Sequence, residues 1–301
     1  MQDISSSSHI TDNQYWKSFY HRSITNQVNF LISFIDQNKR NPDMLAKHFD
    51  SIIVAIEEAA SHPEIETRAN LIKLFRSLHP LPLWWGRSME WVRIIETIIK
   101  IAKETPNTRG LFWLYLTQSE ILITGGDEKK ALALAEAALS LAQESNDPEM
   151  IFKAEMTVFE TKKDLGYLGD RTESIAELGK SLANKKETIP EKNAKILEVE
   201  FLLKKMDILR RLGECEEALE TIQHAHTLAD DCLAKDDLLR AQIYNRRGAT
   251  YWTAQEPRHA IADFEKATDI FAKWGDEASK IYSIGYTGLV WWSLGEYPKA
   301  E

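Results

Sequence analysis

The sequence predicts an all-α protein, an α-α superhelix in which helix-turn-helix units stack into a right-handed solenoid. Three observations lead there. Apolar residues recur at three- and four-residue steps over most of the 301 residues, the period of a helix with one buried face. Only nine prolines and thirteen glycines occur, few enough to leave long stretches helical. A turn residue also recurs along the chain, at Gly86, Gly126, Gly169, Gly213, Gln255 and Gly295, with spacings of 40, 43, 44, 42 and 40 residues. The small residue that opens the following helix keeps step, as Ala131, Ser174, Ala218, Ala260 and Ala300.

Taken in order, residues 1–13 read as a disordered tail, because four serines followed by His-Ile-Thr-Asp-Asn carry no apolar period. Residues 14–108 read as an N-terminal helical region with one degenerate repeat. Its first helix starts near Tyr15 and runs through Val28, Leu31 and Ile35 to Asn41-Pro42, which stops it. A second spans Met44 to Ala60, and a third Ile65 to Leu78. Pro80 and Pro82 cannot both sit inside a regular helix, so the chain kinks there beside Trp84 and Trp85. A fourth helix carries Trp91, Ile95, Ile98 and Ile99 on one face.

Residues 109–301 read as the repeat array proper. The segment from Tyr244 to Ala272 states its pattern most clearly: Tyr244, Gly248, Tyr251 and Trp252 on a first helix, the turn Gln255-Glu256-Pro257, then Ala260, Phe264 and Ala267 on a second. Proline suits the first turn of a helix, where its missing N–H has no partner to lose. Glycine on the first helix lets the alanine stripe of the second approach closely. This resembles a tetratricopeptide repeat, whose usual period is about 34 residues. The longer spacing here puts extra residues into longer helices or into connections such as Asp147-Pro148, an N-cap followed by a first-turn proline, and the segment around Pro190. The last repeat is incomplete: it has a first helix, a turn and Ala300, which predicts that the natural polypeptide continues or that another chain covers this face.

Composition narrows the functional classes. The net charge of −9 is uneven, since residues 1–110 hold 13 Lys+Arg against 12 Asp+Glu and residues 111–301 hold 24 against 34. An acidic array repels a phosphate backbone, which argues against nucleic acid as partner. No apolar run is long enough for a membrane span and the N-terminus is not a signal peptide, so a cytoplasmic location is expected. Cys215 and Cys232 lie on one helix about 25 Å apart and cannot pair within the chain.

The chemical motifs dissolve on inspection. Gly179-Lys180-Ser181 ends like a phosphate-binding loop, but it lies inside a repeat helix and no strand precedes it. His224 and His226 point to opposite sides of one helix. Asp230-Asp231 and Asp236-Asp237 fit helix capping and loop solvation better than a hard cation. No catalytic, cofactor or metal residues are therefore assigned, and no cofactor is expected. By repeat phase, Glu120, Lys163, Tyr167, Asp207, Arg210, Asn245, Trp252 and Trp292 should line the concave side formed by the first helices, with Trp291 in the core. So mixed a lining suits a protein or peptide partner. Leu116 and Glu120 stand where some tetratricopeptide domains place the lysine and asparagine of a carboxylate clamp.

The stretch from His48 to His62, followed by Leu71 to Glu104, is similar to the first superhelical units after the winged-helix region of STAND-class NTPases. The resemblance covers roughly residues 12–104 and implies the sensor arm of a signalling switch, with a parent or separate NTPase domain as partner. A free-standing adaptor that scaffolds a complex is the alternative reading. Nothing supports the third, an enzyme on a helical scaffold.

Overall fold

A computed structural model describes residues 5–38, 41–62, 65–78, 88–104 and 107–300. All regular structure among them is helical, and the chain divides into two compact units, residues 1–121 and 122–301. The division falls inside a helix, later than the sequence-based boundary at 108/109.

The first unit contains α1 (Ser5–Asn38), α2 (Pro42–Lys47), α3 (Phe49–Ala60), α4 (Ile65–Leu78), α5 (Ser88–Lys103) and most of α6 (Thr108–Thr124). Ile24, Val28, Leu31 and Ile35, all buried, form the face of α1, and α1 lies against α3 and α4. Trp91 of α5 is fully buried, edge-on to Phe49 at 5.5 Å and to Phe75 at 6.3 Å. Two expectations need correction here. Helix α1 starts at Ser5, inside the stretch read as a tail, because the helical backbone does not stop where its apolar stripe stops. The helix expected from Met44 to Ala60 is broken at His48, whose φ of −103° and ψ of 6° lie off the helical well. The Trp84-Trp85 hinge and Gly86 lie outside the described residues.

The second unit holds the end of α6 and then α7 (Glu128–Ser145), α8 (Pro148–Asp164), α9 (Arg171–Lys185), α10 (Glu191–Leu212), α11 (Cys215–Cys232), α12 (Leu238–Thr253), α13 (Pro257–Trp274), α14 (Glu277–Ser293) and the single turn α15 (Tyr297–Ala300). Each repeat is a first helix and a second one; numbered from the first helix that closes at Gly126, the second to fifth are α8 with α9, α10 with α11, α12 with α13, and α14 with α15. The second helices α7, α11 and α13 carry the predicted small-residue stripe, whereas α9 buries Ile175, Leu178 and Leu182 and leaves Ser174 half-buried. Ala131, Ala135, Ala138 and Ala142 are fully buried, as are Ala218, Ile222, Ala225 and Ala229, and Ala260, Phe264 and Ala267. Opposite them the first helix has glycine at Gly248, where an added Cβ would stand 3.0 Å from the Phe264 ring and 3.1 Å from the Ala260 carbonyl oxygen. Caps fall as read: Asp147 Oδ1 accepts from the Glu149 and Met150 amides, and Asp237 from Leu239.

Every first helix in this unit closes by the same device. The amide of the residue after the C-cap turn reaches back five positions and the turn residue itself reaches back three, the two bonds of a Schellman closure. These pairs are Gly126 to Ile123 with Asp127 to Leu122, Gly166 to Lys163 with Tyr167 to Lys162, Gly213 to Arg210 with Glu214 to Leu209, Gln255 to Trp252 with Glu256 to Tyr251, and Gly295 to Trp292 with Glu296 to Trp291. All five turn residues are left-handed, Gln255 (φ 62°) included. One assignment changes. In the second repeat the closing residue is Gly166, not Gly169, and Tyr167, Leu168 and Gly169 are an insertion before Asp170 caps α9. The spacings become 40, 47, 42 and 40 residues.

Candidate functional site

The partly open face of the first helices follows from α12. Ala241 and Gly248 turn to α13, while Ile243 joins the core of the preceding repeat and the Thr250 hydroxyl lies 3.2 Å from the Met206 sulfur. Gln242, Asn245, Arg246, Ala249 and Trp252 remain on the other side, none of them fully buried. Counting back from the closing turn residue finds the same positions in the other repeats. Six residues back stand Glu160, Asp207, Ala249 and Leu289; three back, Lys163, Arg210, Trp252 and Trp292; nine back, Thr157, Lys204, Arg246 and Tyr286.

In this register a triad recurs across repeat boundaries. Glu160 holds Lys163 of its own helix and Lys204 of the next, the latter at 3.1 Å. Burial alone would raise the Glu160 carboxyl, but Lys204 and Lys163 overcome it and hold the group at about 2. One repeat later Asp207 occupies the place of Glu160, with Arg210 Nη2 at 3.8 Å and Arg246 Nε at 3.0 Å from its two oxygens. In the fourth repeat charge gives way to rings: Trp252 meets Tyr286 edge-on at 5.5 Å, beside Ala249. Tyr282 donates to the Tyr286 hydroxyl at 2.8 Å. Burial, then that bond, push the Tyr282 phenol up to about 12, so it stays protonated.

The residues assigned from sequence fare unequally. Asp207, Arg210, Asn245, Trp252 and Trp292 share this wall, Trp252 half-buried and Trp292 63% exposed. Lys163 is on it too, but its amine is engaged by Glu160 and only 11% of the side chain is exposed. Glu120 belongs to the first unit, where it is half-buried. Tyr167 is corrected: α8 ends at Asp164 and Tyr167 sits in the insertion, 59% exposed, off the first-helix wall. Glu160, Lys204, Arg246, Tyr282 and Tyr286 were missed. The signal for Glu160 lay in the Leu165-Gly166 pair, which matches Leu212-Gly213 and Leu294-Gly295 as a helix end. Trp291 is half-buried against the cluster of Ala260, Phe264 and Val290, with Lys299 Nζ 4.5 Å from its ring centre.

The motifs set aside have structural employment. Gly179 lies on α9, where an added Cβ would be 2.9 Å from the Phe201 ring, and the Ser181 hydroxyl donates to Glu155 at 2.5 Å. Asp230 is taken by the buried Arg240 at 2.7 Å. His226 lies edge-on to Tyr244; burial, then the nearby Arg247, lower its pKa.

A tetratricopeptide-repeat profile matches residues 203–273. No curated protein matches the sequence. Among solved structures, BtubC from P. vanneervenii superimposes with a TM-score of 0.52 and 18% identity, covering 76% of this chain and 91% of that one. PlcR from Bacillus thuringiensis, in complex with the peptide PapR7 and DNA, gives 0.54 at 12% identity over 86% of this chain and 98% of its own. A STAND protein with a tetratricopeptide repeat sensor from Pyrococcus horikoshii gives 0.50 at 18% identity, covering 91% of this chain and 44% of that one. At these identities the likeness is one of fold.

Proposed function

We infer that this tetratricopeptide-repeat chain is a recognition module, and that the first-helix wall of its second unit holds a peptide or an extended segment of a partner protein. The observation that carries this is the wall's composition. Arg210, Arg246, Trp252, Tyr282, Tyr286 and Trp292 gather on one partly open face, Tyr282 and Trp292 exposed and Trp252 and Tyr286 resting in part on the Phe264 cluster, and Trp, Tyr and Arg are the side chains in which binding energy concentrates. PlcR, similar in fold, was crystallised with a peptide. None of the wall's contacts calls for catalysis, and the reading is non-enzymatic.

Within that reading the chain acts as the sensing arm of a STAND-type signalling switch. Two things support it: the resemblance of residues 12–104 to the units that follow the winged-helix region, and the fold likeness of 91% of this chain to 44% of a STAND protein that has a tetratricopeptide repeat sensor. A phosphate-loop NTPase domain encoded in the same reading frame would agree with the arm, and its absence there would favour the adaptor.

The binding reading is tested by selecting peptides from a random displayed dodecamer library on the purified chain. Selected peptides should lose about tenfold or more in affinity on Arg210→Ala or Trp252→Ala, changes of more than about 1.4 kcal/mol, with Lys266→Ala as the control on α13. Wild-type affinity in both wall variants refutes the site.

A further inference from the structure

We propose that the wall recognises a carboxylate, seated between Arg210 and Arg246, with an apolar side chain of the same peptide resting on Trp252, Tyr282 and Tyr286. This rests on the peptide-binding reading and names the chemistry of what is bound.

The two charged triads are alike in register and unlike in satisfaction. Around Glu160 both lysines are in close contact with the carboxylate. Around Asp207, two guanidiniums share one carboxylate, and only Arg246 is within hydrogen-bonding distance; Arg210 Nη2 stands off at 3.8 Å. Arg210 Nε is buried with no acceptor. Buried donors normally find a partner, and a guanidinium offers a planar fork that a carboxylate fits with two parallel bonds. The Asp207 triad, like that of Glu160, holds two cations to one carboxylate, but here a buried guanidinium donor has no acceptor, in an array that is otherwise acidic. Glu200, about two turns before Asp207 on α10, is the other acid on that face.

The neighbouring repeat supplies the second half of the seat. Where Asp207 and Arg210 stand on α10, α12 has Ala249 and Trp252, so the wall passes from charge to aromatic surface within one repeat. Tyr282, 56% exposed, is close enough to Arg210 and Asp207 to feel both charges. A peptide that lays a carboxylate on the arginines therefore has an aromatic platform at the adjoining residue.

The test uses the 301-residue chain and fluorescein-labelled decapeptide pools with a fixed Leu-Trp pair followed by Glu, Gln, Lys or phosphoserine, each C-terminally amidated or free, read by anisotropy. The amidated Glu pool should bind about tenfold tighter than the Gln pool and lose that margin as salt rises. Arg210→Gln and Arg246→Gln should bring Glu down to the Gln level, and Arg210→Lys should restore only part. Asp207→Asn removes the internal competitor and should tighten the Glu pool; a merely structural Asp207 would loosen it. Free-acid Gln peptides binding as well as Glu ones would assign the seat to the chain terminus. Equal binding of Glu and Gln in both terminal forms, preference for Lys or phosphoserine, or weaker binding by Asp207→Asn at unchanged melting overturns the proposal. If all pools bind alike and Trp252→Ala weakens all of them, the carboxylate seat fails and the peptide wall survives; if none binds, both fail.

Discussion

Replacing Gln255 by glycine should stabilise the fourth repeat. Gln255 closes α12 at φ 62° while Gly126, Gly166, Gly213 and Gly295 close the other first helices at 74–84°. A left-handed conformation costs a residue with a Cβ about 1–2 kcal/mol. Glycine escapes that cost, but its freer unfolded chain returns about 0.5–1 kcal/mol. The difference leaves a gain of about 0.5–1 kcal/mol. The Gln255 and Glu256 amides bond to Trp252 and Tyr251 across this turn, so they report on it directly. Their hydrogen-exchange protection should rise about two- to fivefold if they open locally. For a unit of this size the melting temperature should rise by about 1–4 °C. Gly213→Gln is the mirror experiment and should lose what Gln255→Gly gains, while Gln255→Ala keeps the strain and should gain nothing. Unchanged protection in Gln255→Gly together with a neutral Gly213→Gln would refute the shared closure and the register built on it.

Other outcomes follow from the same packing. Ala260→Leu, pressed against Gly248, should cost about 1–3 kcal/mol in thermal melts, against little for Lys266→Leu on the exposed face. The Glu160 carboxyl, held at about 2 against an unfolded value of 4.5, contributes stability above the unfolded value and loses it as pH falls toward 2; acid titration of Glu160→Gln should show a shallower loss between about pH 5 and 2. Arg240 donates to the Ala229 and Leu233 carbonyls and to Asp230. Ala229 keeps the Leu233 amide and Asp230 is open to water, so Arg240→Met should cost about 1–3 kcal/mol for the Leu233 carbonyl it leaves without that donor, seen as faster exchange across the turn between α11 and α12.

What could be read from the sequence was local. The alanine stripe, the Asp147-Pro148 cap and the turn at Gln255 each depend on a few neighbouring residues, and each is where the spacing put it. The wall depends on phase along a helix, and phase depends on where the helix ends. Taking Gly169 for Gly166 moves a position by three residues, about 4.5 Å along the axis and about 60° around it. That was enough to choose Lys163 in place of Glu160 and to bring in Tyr167. Arg246 with Asp207 and Lys204 with Glu160 lie 39 and 44 residues apart, and no period reveals which of two like charges turns toward a given acid. The buried Arg247 fork on Asp263 was hidden for the same reason.

The repeat boundaries of the wall are fastened by different materials. Glu160 with Lys204 and Asp207 with Arg246 join their repeats by ions, whereas Trp252 and Phe264 grip Tyr286 through rings. Joints in series add their compliance, and the softest sets how far the whole rod bends. Dissolved salt reaches such partly buried pairs only weakly and leaves the rings nearly untouched. Behind both kinds of joint each boundary also buries an apolar contact, Ile208, Ile243 and Val290 in turn, so the softest joint is still a packed one.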